Sequence, residues 1–314
     1  MYQIWGIVSM KPRVTVGICV KNGEKTIANA MESVISQDYP HELIEAILVD
    51  DGSQDRTFSI MRSYANKMDI PSRVFREEWH GLGVSRNIVV KNARGEYIIW
   101  VDCDEVLAKD HIRKQVEYMD KNPMVGISVG FVLMPESSWL VELDLLPALI
   151  DRTRFLRLGS PLKHPVTGGA AFRLEALRQA GGFDERIRGA GEDIEIAYRI
   201  MEKGWLLGAT GARFWERKGD IRTFGQFWKK YVWYGYGGHK IYLMNRKIIK
   251  YFRMTPLAGI LAGILYSVDA YRLTKEKSPF LILILPTIFA FKYTAWCFGF
   301  TKSHIETLAK RESH

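Results

Sequence analysis

The sequence is poor in cysteine and has no arrangement of cysteines that would build a disulfide or zinc site. Its three cysteines, Cys19, Cys103 and Cys297, are widely spaced, and neither a CxxC pair nor a Cys/His cluster occurs. A disulfide framework and a structural zinc site are therefore not expected, and a reducing compartment fits. Residues 1–10 lack the charged start and long apolar core of a secretory signal, so we expect the main domain to stay in the cytosol.

Internal repeats and low-complexity tracts are also absent. Of the 314 residues, 47% are hydrophobic and 25% are charged, which excludes global disorder. This length suits one large α/β domain with an appendage. We place the domain at residues 1–218, a basic and aromatic helical segment at 219–253, and a hydrophobic helical hairpin with its tail at 254–314.

Negative charge is in short supply, since 35 Asp and Glu residues face 44 Lys and Arg residues, a formal net charge of +9. An excess of this size predicts an anionic partner. Basic residues crowd into Arg217–Arg253, directly before an apolar stretch, which is typical of a segment at a membrane surface. A solvated basic helix face is the plainer alternative. We do not expect nucleic-acid binding, because no recognised binding module accompanies the charge.

Long apolar runs are scarce. Met254–Val268 is short, and Pro279–Phe300 contains Pro286 and Lys292, whereas a comfortable membrane span needs about 20 apolar residues. A short helical hairpin and two helices lying in the membrane interface are both open. The aromatic residues of Gln226–Tyr242 would pack under the sheet or sit at the headgroup level, and their mixture with lysine favours the second position.

Strands and helices alternate in the first third of the chain. Apolar runs predict buried strands at Val14–Val20, Leu43–Asp51 and Tyr97–Val101, and helical spacing predicts helices at Lys25–Gln37 and Thr57–Met68. This order predicts βαβ units and a mainly parallel sheet with helices on both faces. Ligands of such sheets bind beyond the carboxyl ends of the strands.

The middle of the chain, residues 126–172, is interrupted by Pro135, Pro147, Pro161 and Pro165. There we expect irregular structure apart from a strand near Ile127–Leu133 and an edge strand near Ala170–Arg173. A later helix should run from Glu192 to about Lys203, with its first acids pointing outward. Its apolar face would be formed by Ile194, Ala197, Ile200 and Met201.

Two acidic clusters follow predicted strands. The carboxylates of Asp50-Asp51-Gly52-Ser53 would accept hydrogen bonds from a nucleobase and a ribose, although a turn and helix cap fits equally well. Asp102 and Asp104 are one residue apart, so they can share a divalent cation whose coordination a diphosphate completes. Such triplets also occur on solvated loops.

A third cluster, Glu192-Asp193, follows Gly189-Ala190-Gly191 and opens a helix. An acid there either complements the helix dipole or acts as a general base toward an acceptor hydroxyl. The two glycines permit close approach of a ligand and favour the base. Between the first two clusters, Gly81–Asn87 (GLGVSRN) suits a diphosphate through backbone N–H groups and Arg86.

In this order the motifs resemble those of the family 2 glycosyltransferases, whose nucleotide-sugar domain has the GT-A fold. The resemblance runs from about Arg13 to Arg217 and includes Val16–Glu24 as the first nucleotide loop and Thr167–Arg173 as the acceptor-side strand and loop. It implies donor contacts from Val20, Asn22, Glu24, Asp50, Asp51, Ser53, Gly81, Arg86 and Asp102. It also implies Mg²⁺ or Mn²⁺ on Asp102 and Asp104, an acceptor side with Gly168, Gly169 and Glu192, and Asp193 as catalytic base.

The resemblance implies an inverting hexosyltransferase with a UDP-, GDP- or dTDP-sugar donor. The acidic pair favours a hydroxyl acceptor on a lipid-linked saccharide or cell-surface polysaccharide precursor, used on the cytoplasmic face of the cell membrane. A polyprenyl-phosphate glycosyltransferase and a catalytically silent nucleotide-sugar-binding subunit are the alternatives. An enzyme that forms nucleotide-sugars is disfavoured, because Val16–Glu24 lacks a Gly-rich basic signature. A channel-forming synthase is also disfavoured, because Gln226–Tyr231 departs from the Gln-x-x-Arg-Trp motif of those enzymes.

Overall fold

The computed structural model describes residues 11–133, 138–158, 162, 167–187, 189–216, 221–273 and 280–312. Within them lies one sheet of eight strands in the order β3-β2-β1-β4-β7-β6-β8-β5. The strands are β1 (Val14–Val20), β2 (Ile44–Asp51), β3 (Ser72–Glu77), β4 (Tyr97–Trp100), β5 (Glu105–Leu107), β6 (Val125–Leu133), β7 (Ala170–Arg173) and β8 (Leu206–Glu216). The helices are α1 (Ile27–Ile35), α2 (Thr57–Lys67), α3 (Leu82–Asn92), α4 (His111–Lys121), α5 (Trp139–Leu158), α6 (Leu174–Gln179), α7 (Glu192–Glu202), α8 (Phe224–Met244), α9 (Pro256–Leu273) and α10 (Phe280–Glu312).

The first four strands form the parallel part of the sheet. β1 pairs in parallel with β2 and β4, and β2 pairs in parallel with β3. Both β1 and β2 are buried along their whole length, as expected for apolar strands covered on both faces. Because these strands share one direction, the loops that follow β1, β2 and β4 lie at the same edge of the sheet.

Strand β7 differs from its prediction as an edge strand. It lies in the interior of the sheet, antiparallel to both β4 and β6, and all four of its residues are buried. The physical reason is its composition, since Ala170, Ala171 and Phe172 are apolar on both faces of the strand and bury well there. β8 then runs parallel to β6 and carries the short antiparallel β5 on its outer side.

Helices cover both faces of the sheet, as predicted. One apolar core joins the sheet to α1, α2 and α4 through residues such as Met31, Met61 and Ile112. A second core on the opposite face contains Val89 of α3 and Ile196 of α7. Each core removes large apolar side chains from water, which is the dominant stabilising term for such a layered fold.

The middle of the chain is more regular than predicted. α5 spans Trp139–Leu158 and contains Pro147, which was expected to interrupt the chain. A proline inside a helix removes one backbone hydrogen bond and costs about 3 kcal/mol. Burial of Leu140, Val141 and Ile150 along the same helix offsets that cost. Pro135, Pro161 and Pro165 lie outside the described residues.

The C-terminal part is built from α8, α9 and α10. α8 begins with a capping box, in which the Thr223 hydroxyl accepts from the Gln226 N–H and the Gln226 side chain accepts from the Thr223 N–H. Its aromatic side chains pack against α10, for example Phe227 on Phe291, rather than under the sheet. α9 packs on the first half of α10, where Gly259 lies against Phe289 and Gly263 against Pro286.

Candidate active site

The loops after β1 and β2 are bonded to each other. The Asn22 N–H donates to Ser53 Oγ over 2.8 Å, and the Gln54 N–H donates to Asn22 Oδ1 over 2.9 Å. The Arg56 N–H and side chain donate to the Glu24 carboxylate. Asn22, Glu24 and Ser53, which were predicted to contact the donor, therefore hold these two loops together. Asn22 adopts φ of +53°, a left-handed conformation that asparagine tolerates and that this tight loop needs.

Asp50 and Asp51 lie at the carboxyl end of β2, with Asp50 paired in register with Val20 of β1. Asp51 Oδ1 accepts from the His80 N–H, which ties the start of the Gly81 segment to this edge. Asp50 is fully buried; its Oδ1 accepts from the Ser53 N–H, and its Oδ2 lies 3.5 Å from the Arg76 Nε, in an ion pair that makes no hydrogen bond. This oxygen keeps the capacity to accept a hydrogen bond from a ligand N–H or O–H.

Arg86 joins the second and third acidic clusters. Gly81, at φ of +100°, precedes α3, whose first turns bring Arg86 into the interior. The Arg86 guanidinium contacts Glu192 Oε1 at 2.5 Å and Asp102 Oδ1 at 3.5 Å, and it lies over the rings of Trp100 and Phe183. Burial disfavours its charge, but Glu192 and Asp102 outweigh burial and raise the pKa of Arg86. The guanidinium is therefore a permanent cation between two sequence-distant acids.

The thiol of Cys19 lies among the same charges. Burial raises the pKa of Cys19 to about 12, with Arg86 opposing the shift and Asp102 and Asp51 adding to it. The strand pairing gives the same placement, because Val20 of β1 pairs with Asp50 of β2 and Gly17 pairs with Trp100 of β4, so both acidic clusters follow the same edge of the sheet. Cys19 stays a neutral thiol and is not a candidate nucleophile.

Glu192 departs from its prediction. It was expected to point outward from the first turn of α7, but it is buried, while Ile194 and Met201, expected on the apolar face, are exposed. The helix is rotated because the Arg86–Glu192 ion pair is satisfied only when Glu192 faces inward. Gly191, at φ of +105°, allows the sharp entry into the helix.

Asp193 lies beside this ion pair and is half-buried, with Oδ1 accepting from the Ile194 N–H over 2.8 Å. Burial raises the pKa of Asp193 to about 7; the Glu192 carboxylate adds to the shift and Arg86 opposes it. A carboxylate with this pKa can take up a proton near neutral pH, which is the property required of a general base.

Glu105 is a site residue that the sequence motifs did not identify. Its carboxylate is buried and accepts from the Asp102 N–H over 2.9 Å and from the Gly169 N–H over 3.1 Å. Burial, then Asp102 and Glu216, raise the pKa of Glu105 well above its ordinary value. A Cβ added to Gly168 would overlap the Glu105 carboxylate, so this glycine is required for the contact. Glu105 thus fastens the Asp102–Asp104 loop to Gly168 and Gly169.

Asp102 and Asp104 are candidates to hold a divalent cation that takes only two ligands from the protein. The Asp102 side chain is 43% exposed, and Asp104 is also partly exposed at the same turn. Across the described ranges, no group of three or more His, Cys, Asp or Glu side chains is placed to hold a metal. Mg²⁺ and Mn²⁺ commonly use one or two carboxylates together with substrate phosphate oxygens and water, so two carboxylates suffice.

The chain also matches a known protein family. The family model for glycosyl transferase family 2 matches residues 15–181, which is more than half of the chain. The chain belongs to glycosyl transferase family 2. The match contains the strands β1, β2 and β4 and the first two acidic clusters, and it ends before Glu192 and Asp193. Membership confirms the predicted family and reaction class, a glycosyltransferase.

The matched relatives share different portions of their length with this family 2 chain. TuaG of Bacillus subtilis, named a putative teichuronic acid biosynthesis glycosyltransferase, is 32% identical over 63% of this chain and 76% of its own length. The poly(ribitol-phosphate) β-N-acetylglucosaminyltransferase TarS of Staphylococcus aureus is 32% identical over 32% of this chain, but only 18% of its own length. This chain therefore spans about a fifth of TarS, and its activity is not carried over from that protein.

The fold is shared with a solved structure. The mannosyltransferase PcManGT from Pyrobaculum calidifontis, solved in complex with GDP-Man and Mn²⁺, has a TM-score of 0.65. The two chains are 18% identical, and the superposition covers 94% of this chain and 88% of PcManGT. This likeness confirms the predicted GT-A fold, a mixed α/β sheet with helices on both faces.

Proposed function

We propose that this protein is an inverting hexosyltransferase that moves a sugar from a nucleotide-sugar to a hydroxyl of a lipid-linked saccharide or polysaccharide precursor, with a bound divalent cation. The observation that carries the proposal is the contact of Arg86 with both Asp102 and Glu192. This guanidinium contacts both the turn that bears Asp102 and Asp104 and the residue next to the proposed base Asp193, which supports a single site. A donor held at the first and an acceptor held at the second would meet in the same crevice.

On the donor side, Asp50 is available for the nucleobase or ribose, and the Gly81 segment with the N-terminus of α3 suits the diphosphate. The cation on Asp102 and Asp104 would stabilise the negative charge of the departing nucleoside diphosphate. Glu105 holds the turn that bears both aspartates, so the carboxylates are oriented before the donor binds. UDP-, GDP- and dTDP-sugars all have the chemistry that these groups accept.

On the acceptor side, Asp193 would remove the proton of the acceptor hydroxyl as its oxygen attacks the anomeric carbon opposite the leaving diphosphate. Its pKa of about 7 gives a useful fraction of ionised base at neutral pH. Glu192 and Gly169 border the same crevice through Arg86 and Glu105. A base of this kind supports a hydroxyl acceptor over a polyprenyl phosphate, which is already ionised. The acids present at all three clusters weigh against a silent binding subunit.

The TuaG and TarS matches support an acceptor in cell-surface polymer synthesis. We propose the cytoplasmic face of the cell membrane as the place of reaction, with residues 1–218 as the transferase domain, 219–253 as the segment next to the membrane and 254–314 as the hydrophobic hairpin. One helix of the described chain, Leu283–Ala309, is long and apolar enough to cross a membrane by length and composition. Basic residues between Arg222 and Arg253 support attraction to anionic lipid.

The decisive experiment replaces the base and measures transfer and donor binding separately. Asp193→Asn should lower kcat by about 100-fold or more, because it removes proton abstraction. Thermal shifts with UDP-, GDP- and dTDP-sugars and Mn²⁺ should be retained, since a donor at 100 times its Kd stabilises by about 2.7 kcal/mol. Glu195→Gln is the matched control, because Glu195 lies on the same helix and pairs with Arg199 instead. Full turnover by Asp193→Asn would refute the assignment of the base.

A further inference from the structure

The side chains on the two faces of α9 are arranged in the reverse of the order expected for a surface helix in water. Its buried face is made of small residues, Gly259, Gly263, Ser267 and Ala270. Its outward face carries large apolar side chains, among which Leu257 is 69%, Leu261 57% and Leu265 67% exposed. That outward face continues with Ile260, Ile264, Val268 and Tyr271. From Pro256 to Val268 the helix contains no charged residue.

Such a distribution is typical of a helix whose outer environment is lipid. In water a surface helix turns its large apolar residues to the core and its polar residues outward. In a bilayer the outward apolar residues are already in an apolar environment, so burying them against the protein gives no hydrophobic stabilisation. Small residues at the helix contact allow two backbones to approach closely. An exposed, continuous and uncharged apolar face of this length on a monomer marks an interaction surface.

The orientation of this face is limited by polar contacts to the sheet domain. Asp269 pairs with Arg154 at 2.9 Å, the Tyr266 hydroxyl donates to Asp151 over 3.0 Å, and Lys292 of α10 pairs with Asp144 at 2.6 Å. The three partners in the sheet domain all lie on α5. The α9–α10 pair therefore lies along α5, and the outward face of α9 forms part of the surface on that side of the protein.

These contacts argue against a spanning α10. Lys292 lies inside the one described segment that is long and apolar enough to span, and its ammonium group is buried against Asp144. Crossing a bilayer would separate this pair and leave an ammonium group in hydrocarbon, which is costly. A helix that lies along the surface keeps every one of the three contacts to α5.

The segment leading into α9 has the chemistry of a headgroup region. Tyr251 and Phe252 are exposed, and Arg253 is exposed beside them. Three further exposed basic residues precede them, namely Arg246, Lys247 and Lys250. Aromatic and basic residues at the end of an apolar helix favour the interface of an anionic leaflet. This charge complementarity selects a bilayer rather than a second copy of the same basic chain as the occupant.

We propose that α9 is an in-plane membrane anchor that lies in one leaflet of an anionic bilayer without crossing it. Its outward apolar face enters the acyl region, and the basic residues before it contact lipid phosphates. This inference does not depend on the proposed sugar transfer, because none of the four residues that Arg86 contacts lies on α9. Donor binding in solution would persist if the anchor assignment were wrong, so the two failures are distinguishable.

Flotation of the full chain with vesicles tests the anchor. The protein should float with phosphatidylglycerol-containing vesicles and much less with pure phosphatidylcholine vesicles. Leu261→Asp with Leu265→Asp should lower the partition coefficient by about 10-fold or more, because two exposed leucines no longer enter the acyl region. Leu206→Asp is the matched control, since Leu206 is also 57% exposed but lies on β8. Equal binding of the double variant and the control would overturn the proposal.

Two measurements separate the competing occupants and orientations. Sedimentation without lipid should show a monomer. If the wild-type chain were instead a dimer and the double aspartate variant a monomer, the outward face of α9 would be a contact between copies, which would refute the anchor. Nitroxide labels at Leu257→Cys and Val268→Cys should report similar depths in vesicles, after subtraction of the signal from native cysteines. A depth difference of about 16 Å, the rise of 11 residues, would show a spanning helix and refute the in-plane anchor.

Discussion

Two charge clusters, one around Arg86 at the proposed donor–acceptor crevice and one under the C-terminal helices, have opposite compositions. At the crevice one guanidinium, Arg86, faces two carboxylates, Asp102 and Glu192. Under the helices one carboxylate, Asp144 of α5, faces two ammonium groups, Lys230 of α8 and Lys292 of α10, and accepts a hydrogen bond from the Tyr231 hydroxyl. The first cluster has an excess of negative charge and the second an excess of positive charge.

The two clusters also differ in how their charges are satisfied. Burial alone would raise the pKa of Asp144, but Lys292 and Lys230 outweigh burial and hold it well below its ordinary value. At the crevice the pKa of Asp193 is raised to about 7. A buried carboxylate between two cations stays ionised and stabilises a packing arrangement, whereas a cluster with an excess of carboxylates attracts a cation or takes up a proton. The comparison thus separates a structural ionic contact from the proposed catalytic site.

Removing the central carboxylate of the helical cluster should give the largest effect on stability. Asp144→Asn leaves two buried ammonium groups without a counter-charge, and breaking a buried ion pair costs about 3–5 kcal/mol. The free energy of unfolding, measured with guanidinium chloride, should fall by that amount, while the pH dependence of transfer stays unchanged. A loss below about 1 kcal/mol, the range of exposed pairs, would mean that the cluster is hydrated.

A triple replacement provides the control for this prediction. Asp144→Leu together with Lys230→Met and Lys292→Met removes all three charges and keeps apolar volume. Such replacements of buried ion pairs are often neutral or stabilising by about 1–4 kcal/mol. If the triple variant is as unstable as Asp144→Asn, the cost comes from lost packing rather than from an uncompensated charge.

Around Arg86, a large effect on activity is also expected at Gly168. In Gly168→Ala the new methyl group would overlap the buried Glu105 carboxylate and approach Asp102 Oδ2 at 3.3 Å. Because Glu105 is held by the Asp102 and Gly169 N–H groups, the turn that bears Asp102 and Asp104 must shift. A misplacement of about 1 Å can cost about 100-fold in rate, so kcat should fall by that order.

Gly211→Ala is the matched control for Gly168→Ala. It lies on β8, where an added Cβ would meet nothing within 4 Å. Initial rates at saturating donor, with thermal stability measured beside them, distinguish the two substitutions. Normal turnover in Gly168→Ala with normal stability would show that Glu105 does not position the turn.

The sequence alone predicts the acidic clusters at the sheet edge because they follow parallel strands. Asp50 and Asp102 were placed together on that rule, since β2 and β4 flank β1 in parallel. The inward rotation of Glu192 was not predictable, because its partner Arg86 is 106 residues away in the sequence. Helical spacing counts apolar residues and cannot anticipate an ion pair that overrides it.

The same limit applies to β7 and to α9. The four residues of β7 are too short a pattern to distinguish an edge strand from an interior one. The apolar content of Met254–Val268 was visible, but which of its residues face the protein depends on contacts such as Gly263 against Pro286. Glu105 was quoted within the second cluster, yet only its bonds to Asp102 and Gly169 identify it as a positioning residue.

The smallest expected effect is on the pH dependence of activity, and it tests the cluster around Arg86. With a pKa of about 7, Asp193 is ionised in about a tenth of molecules at pH 6, so kcat/KM of the free enzyme should rise through pH 7. Burial raises the pKa of Asp193 most, Glu192 in the same helix turn raises it further, and Arg86 of α3 lowers it. Glu192→Gln removes the neighbouring negative charge, and its amide oxygen can still accept from Arg86. The acidic limb of the profile should therefore move below pH 7 and raise kcat/KM at pH 6 relative to pH 8, by about 10-fold at most.

Glu195→Gln, which leaves Glu192 and Arg86 in place, should keep the wild-type profile. A profile that moves equally in both variants would assign the acidic limb to another group, and the cluster around Arg86 would then lose its functional distinction from the Asp144 cluster under the helices.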